Sequence, residues 1–91
     1  MALNPTVYDT TADTWLQIAA GVEIGLIVIL EPRASYRLTY RVAGDPAPST
    51  PAEIENSPKV QSLSVDIKSD APIDVYIYTV AGINGKVTVY E

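Results

Sequence analysis

The sequence predicts an all-β domain: a small antiparallel β-sandwich or barrel of six to seven short strands, with one long proline-rich loop. β-Branched and aromatic residues are frequent, and in several segments they alternate with polar residues, as in a strand with one buried face. Turn-forming residues separate these segments at short intervals. No segment has the length and periodicity of an ordinary helix, so residues 1–91 are predicted to form a single β domain.

The first third of the chain combines an arm with two strands. Residues 1–13 are predicted to form an extended N-terminal arm. Residues 14–19, which hold the single tryptophan Trp15, form the first predicted strand, and residues 20–21 separate it from the second. That second strand, residues 22–30, is apolar on both faces, as expected for a strand buried in a sandwich interior or against another subunit.

Four further strands are predicted from period-two alternation, at residues 35–42, 62–68, 74–80 and 86–90. Residues 69–72 are predicted to turn the chain, because Pro72 cannot donate a hydrogen bond to a sheet. Asn84 and Gly85 are a typical hairpin signal, so the last two strands are predicted to form a hairpin.

The segment at residues 43–59 interrupts this pattern. It carries four prolines, which rules out a regular strand over its whole length. Residues 50–53 fit a capping box with proline at the first helical position, so one helical turn over residues 51–55 is predicted. Long loops of this kind serve either as interaction loops or as flexible connectors, and the sequence leaves both open.

Composition excludes most enzyme chemistry. The chain contains no histidine and no cysteine, which rules out disulfides and removes the residues of the usual zinc sites and catalytic triads. The five glycines are dispersed and form no phosphate-binding loop. We therefore predict that the protein is not an enzyme and takes no cofactor or metal.

Charge and hydropathy narrow the range of partners. A net charge of −5 repels a phosphate backbone, so no nucleic-acid binding is predicted. The most apolar run, residues 24–30, is far shorter than the roughly 20 residues that a membrane-spanning helix needs. The first residues show no charged leader or cleavable apolar segment, so we expect synthesis in a cytoplasm. A domain this small without disulfides or metal is expected to gain stability by assembly.

Two groups of side chains could in principle bind a ligand. Asp66, Asp70 and Asp74 could be calcium ligands, but their spacing matches no calcium loop, and solvated strand faces are the favoured interpretation. Tyr76 and Tyr78 lie on the opposite face of their strand from its apolar residues. Together these two side chains would form an aromatic stripe. An aromatic stripe suits a protein interface or a second core layer, and the alternative is stacking against a carbohydrate.

Two stretches carry a pattern found in one class of proteins. One is residues 14–21 (TWLQIAAG), and the other is residues 71–78 (APIDVYIY) followed by a glycine turn and VTVYE at residues 87–91. This pattern resembles small virion proteins of tailed bacteriophages, of the capsid-decoration or head-auxiliary type. The proline-rich loop at residues 43–59 has no place in that pattern.

The resemblance implies a phage virion structural protein that decorates and stabilises the capsid. Such proteins are made in the host cytoplasm and mounted on a preformed shell in the virion. The implied partners are the major capsid protein or another virion protein, together with further copies of the chain, with a trimer favoured. The interface candidates are apolar or aromatic residues: Leu3, Val7, Tyr8, Trp15, Leu26, Val28, Tyr76 and Tyr78.

Two other functions fit the sequence. A small carbohydrate- or cell-surface-binding module, such as a fibre or adhesin domain, would use exposed Tyr76, Tyr78 or Trp15. An immunoglobulin-like spacer within a larger protein is less favoured, because the chain starts at Met1 and ends right after a strand, as expected of a complete small gene product.

Overall fold

The computed structural model describes residues 4–48, 57–80 and 83–91, which form one antiparallel sheet of five strands. The strands are β1 (Pro5–Thr10), β2 (Trp15–Ile29), β3 (Tyr36–Val42), β4 (Ser64–Thr79) and β5 (Gly85–Tyr90). Their order across the sheet is β1-β5-β2-β4-β3, and every neighbouring pair is antiparallel. The predicted all-β, antiparallel class is therefore confirmed. No helix in these described ranges has the length and apolar character needed to cross a bilayer.

The described residues form five strands where six to seven were predicted, because two pairs of predicted strands are continuous and β1 falls in the predicted arm. β2 joins the strands predicted at residues 14–19 and 22–30, and β4 joins those at residues 62–68 and 74–80. Gly21 has a φ of 60°, which bends β2 without ending it.

The turn predicted at residues 69–72 is a bulged part of β4. Val22 pairs with Ile73 and Ile24 with Lys68, so the residues between these two β4 positions have no partner on β2. Pro72 lies in that unpaired stretch, where its missing N–H removes no ladder hydrogen bond. This explains why a proline inside β4 does not end the strand.

The bends divide the sheet into two halves that share β2 and β4. In the β5 half, β1 and β5 lie beside the second part of β2, which pairs with residues 64–68 of β4. In the β3 half, the first part of β2 pairs with residues 73–78 of β4, which also pairs with β3. The sheet is not closed, and β1 and β3 are its two edge strands.

One hydrophobic core lies between the two halves. Ile18, Val75 and Ile77 from the β3 half and Val87 and Val89 from the β5 half belong to the same cluster of buried side chains. Hydrogen bonds also connect the halves: the Thr79 hydroxyl lies 2.6 Å from that of Thr10. Burying this cluster provides the main driving force for folding.

The pairing bears on two further predictions, and a third falls on residues that are not described. The predicted arm at residues 1–13 contains β1, which is extended but pairs with β5 of the same chain. The predicted hairpin at Asn84 and Gly85 is wrong, because β5 pairs with β1 and β2 and not with β4. The helical turn predicted at residues 51–55 lies outside the described residues.

Candidate docking surfaces

The outer face of the β5 half carries a mainly apolar patch around Thr88, which is 6% exposed. Two cross-strand rows build it: Val7 lies opposite Thr88, which lies opposite Val28, and Pro5, Tyr90 and Leu26 form the next row. The opposite sides of the same strands point into the core, so both faces of this half are apolar. We call this patch the apolar outer face; its members are Pro5, Val7, Leu26, Val28, Thr88 and Tyr90.

Exposure varies across the apolar outer face. Val7 at the sheet edge is 57% exposed, whereas Leu26 and Val28 on the central strand are half-buried by their neighbours. Charged residues lie beside it: Lys86 forms an exposed ion pair with Asp9 at 3.5 Å, and Asp66 lies opposite Leu26. An apolar centre with a charged rim is the usual anatomy of a protein interface.

A second surface lies on the outer side of the β3 half and is aromatic. The rings of Trp15 and Tyr78 are opposite each other in register, with centroids 5.2 Å apart and planes inclined by 56°. The Trp15 Nε1 atom is buried and has no hydrogen-bond partner among the described residues, so this ring contributes apolar packing. Tyr76 is only 5% exposed. The exposed stripe of two tyrosines considered from the sequence is therefore wrong, and only Tyr78 is partly accessible.

The phenol of Tyr78 is held by a carboxylate. Its hydroxyl donates a hydrogen bond to Asp13 Oδ1 at 3.3 Å. Burial, the negative charge of Asp13 and this hydrogen bond together raise the pKa of Tyr78 above the ordinary 10.0. The Asp13 backbone has a φ of 62°, and its N–H donates to the Thr79 carbonyl at 2.7 Å. The turn between β1 and β2 is thus fixed against the end of β4.

The interface residues predicted from the sequence fall into three groups. Val7, Leu26 and Val28 come together on the apolar outer face, while Trp15 and Tyr78 form the aromatic pair. Tyr8 packs against the core from the inner side of β1, and Tyr76 is buried, so neither is presented to a partner. Leu3 lies outside the described residues.

Comparison with protein-family models, with curated proteins and with solved structures found no match for the chain. The function is therefore inferred from the geometry of these surfaces. Among the described residues, the apolar outer face brings together three of the interface residues predicted from the sequence, Val7, Leu26 and Val28, whereas the aromatic pair brings together two.

A groove opens on the side of the sheet where β3 and the first part of β4 lie apart. It has a volume of about 620 Å³. Its walls are mainly apolar, with inward-facing side chains of both halves: Ile27, Leu38, Tyr40, Val65, Ile67, Ile73 and Val75. Tyr40 is 69% exposed, which shows that this side of the core is incompletely covered. Asp66, Lys68, Ser69 and Asp70 lie along the β4 side of the groove.

Asp74 has a structural role that the sequence did not suggest. The favoured interpretation placed it on a solvated strand face, but it is 7% exposed. Its Oδ1 accepts a hydrogen bond from the Gly21 N–H at 2.9 Å, and its Oδ2 accepts one from the Gly44 N–H at 3.0 Å. Both glycines have positive φ angles, 60° and 94°. The carboxylate therefore connects the bend of β2 to the turn after β3.

Sequence reasoning missed Tyr90, Thr88 and the groove. Tyr90 and Thr88 alternate with the core residues Val87 and Val89, and this alternation correctly assigns them to the outer face. Their proximity to Leu26 and Val28 depends on the β2–β5 pairing, which no local pattern encodes. The groove depends on the unpaired edges of two strands and has no sequence signal of its own.

Proposed function

We propose that the chain is a virion structural protein of a tailed bacteriophage, which decorates and stabilises the capsid by docking through the apolar outer face. The observation that carries this proposal is the pair of apolar rows across β1, β5 and β2. Contiguous exposed apolar patches rimmed by polar residues mark interaction sites on soluble proteins. The proposed partner is the major capsid protein or another virion protein, and the proposed location is the virion.

The physical character of the domain supports this role. A decoration protein must stay soluble before it docks, and a net charge of −5 favours solubility. It also needs a rigid docking face, and both strands flanking Thr88 are held in regular ladders. We further infer that the bent sheet acts as an open-sided sandwich, because its two halves enclose one core. Assembly into a homo-oligomer belongs to the same proposal.

The test is co-sedimentation of the purified protein with expanded phage capsids that lack a decoration protein. We expect V7K to weaken binding at least tenfold, because it places an ammonium group within a contact that docking would remove from water. V42K is the matched control: Val42 is 64% exposed, close to the 57% of Val7, but lies at the end of β3. Equal binding of V7K and the unmodified protein, or no binding of either, would contradict the proposal.

A carbohydrate- or cell-surface-binding module is the second candidate, and the Trp15–Tyr78 pair beside Asp13 favours it. Aromatic faces stack on sugar rings, and a carboxylate can accept hydrogen bonds from sugar hydroxyls. If this is the function, Y78A should abolish binding on a glycan array. Y40A should leave it unchanged, since Tyr40 is exposed but lies on the groove. Absence of glycan binding by the unmodified protein would exclude this candidate.

A further inference from the structure

The first part of β4 is an internal edge of the sheet. Residues 64–68 pair with β2 on one side, whereas the part of β4 that pairs with β3 is residues 73–79. No described residue forms a ladder with the other side of residues 64–70. An unpaired strand edge is a template for main-chain pairing with another strand. Residues 64–71 contain no proline that would block such pairing.

The side chains of this edge alternate in a self-complementary way. Val65 and Ile67 point to the inner face, where Ile67 is buried in the core and Val65 packs against it. Asp66 and Lys68 are both exposed and lie on the opposite face. The two charges are thus placed symmetrically on either side of Ile67, one of each sign.

We propose that two copies of the chain pair antiparallel along residues 64–70, with a two-fold axis passing through Ile67. In this register Asp66 of each copy lies opposite Lys68 of the other, and the two Ile67 side chains meet on the inner face. Opposite charges directly across an antiparallel pair stabilise it, and like charges destabilise it. The contact is isologous, since the same patch of both copies forms it. The sheets of the two copies become continuous.

The charges also select this register over its neighbours. Moving the axis by one residue, to Asp66 or to Lys68, would place two like charges directly opposite each other. An axis at Ser69 would pair Lys68 with Asp70, but it would also place Pro72 opposite Asp66, where the ladder would lack an N–H. The Ile67 axis keeps Pro72 outside the paired segment.

The same pairing explains the groove. The strand of the second copy would lie beside β4, in the space that separates it from the exposed end of β3. Val65 and Ile67 of the second copy would then face the apolar walls, including Tyr40, which is 69% exposed in the single chain. Covering these walls removes apolar surface from water, which provides the driving force for the contact.

The test is the mass of the purified protein in solution, measured by light scattering and sedimentation equilibrium over a range of concentrations. The unmodified protein should have twice the mass of the 9.8 kDa chain. D66K and K68D should each be monomeric, because each opposes like charges twice across the axis. D66K lowers the net negative charge of the chain and so reduces the overall repulsion between two copies, but it should still be monomeric. The two variants mixed together should form a hetero-pair, and the exchanged double variant D66K/K68D should pair with itself.

D70K is the matched control, because in the proposed register Asp70 faces the uncharged Ser64 of the second copy. It should therefore remain a dimer, and circular dichroism should show that all variants keep the fold. A strict monomer, a trimer, or a D66K protein that stays dimeric would overturn the proposal. No capsid is present in this experiment, so its outcome is independent of whether the protein docks on one.

Discussion

The hydroxyl of Tyr36 accepts a hydrogen bond from the main-chain N–H of Lys86 at 3.2 Å and donates one to the main-chain carbonyl of Glu31 at 2.8 Å. Tyr36 is on β3 and Lys86 on β5, strands that lie in different halves of the sheet. Only 3% of Tyr36 is exposed. One phenol therefore contributes both to the core and to the polar contact between the halves.

Removing this hydroxyl should destabilise the fold. Y36F keeps the ring but leaves the Lys86 N–H and the Glu31 carbonyl without this partner, so we expect a loss of about 1–2 kcal/mol in the free energy of unfolding. Urea denaturation followed by circular dichroism measures it. Y40F is the control, because Tyr40 is 69% exposed and should lose nothing measurable. An unchanged unfolding midpoint in Y36F would show that water replaces the phenol at no cost.

Gly85 should not tolerate a side chain. A Cβ at this position would collide with the ring and hydroxyl of Tyr36 and would lie 2.6 Å from Thr10 Oγ1. Because these atoms are packed in the core, we expect G85A to cost about 1–3 kcal/mol. K86A changes the exposed neighbouring residue and should stay within about 0.5 kcal/mol of the unmodified protein. Thermal unfolding of both variants compares them directly; equal melting temperatures would contradict the expectation.

Replacing Asp74 with asparagine should destabilise the fold. The carboxylate accepts from two main-chain N–H groups, whereas Asn has one acceptor oxygen and would direct its own NH₂ towards one of these donors. We expect D74N to cost about 2–3 kcal/mol in urea denaturation. The exposed Asp70 provides the comparison, and D70N should have little effect. If the two variants unfold at the same urea concentration, the link between the β2 bend and the Gly44 turn is not important for stability.

Stability should decline in alkaline solution. The pKa values of Tyr8, Tyr36 and Tyr78 are all raised above 10.0, with burial as the largest cause. The folded chain therefore holds these protons more tightly than the unfolded chain. The stabilisation is fully present below pH 10.0 and is lost as the pH rises through the folded-state pKa values. Urea denaturation at a series of pH values should show this decline, and it should be shallower in Y78F.

The Tyr78 phenol can also be followed directly. In D13N the carboxylate charge is gone, so the pKa of Tyr78 should move down towards 10.0 in an ultraviolet titration of tyrosinate absorbance. D9N removes a carboxylate from β1 that forms an ion pair with Lys86 and should leave that pKa unchanged. A D13N titration identical to that of the unmodified protein would show that Asp13 has no influence on Tyr78.

The sequence predicted the β class correctly because period-two alternation reports directly which face of a strand is buried. For β5, the alternation of Val87 and Val89 with Lys86 placed the core residues on the correct side. The prediction of strand ends failed at Gly21 and Pro72. Both are common turn residues, but here they lie at bends of long strands. Whether such a residue ends a strand depends on the partner strand opposite it, which lies more than 40 residues away.

Only part of the apolar outer face could be predicted from the sequence. Residues 22–30 are apolar on both faces, and the side opposite the core lies on the apolar outer face, where Leu26 and Val28 are half-buried. Tyr76 was misassigned because alternation fixes only the face of a strand, and cannot tell whether that face is covered. The grouping of Val7 with Val28 needs two tertiary pairings, through Thr88. The self-complementary charges at Asp66 and Lys68 were visible in the sequence, but their meaning depends on the free edge of β4.

The pairing of β1 with β5 has a consequence for biosynthesis. Among the described strands β1 is synthesised first, and its ladder partner among them, β5, is synthesised last. At ordinary translation rates of about 5–20 residues per second, the nascent β1 waits on the order of 10 seconds without a partner. During that time the apolar side chains of Val7 and Tyr8 are available to chaperones or to neighbouring nascent chains. The ladder of β1 can therefore form only once the six residues of β5 have been synthesised, and β5 determines when β1 is protected.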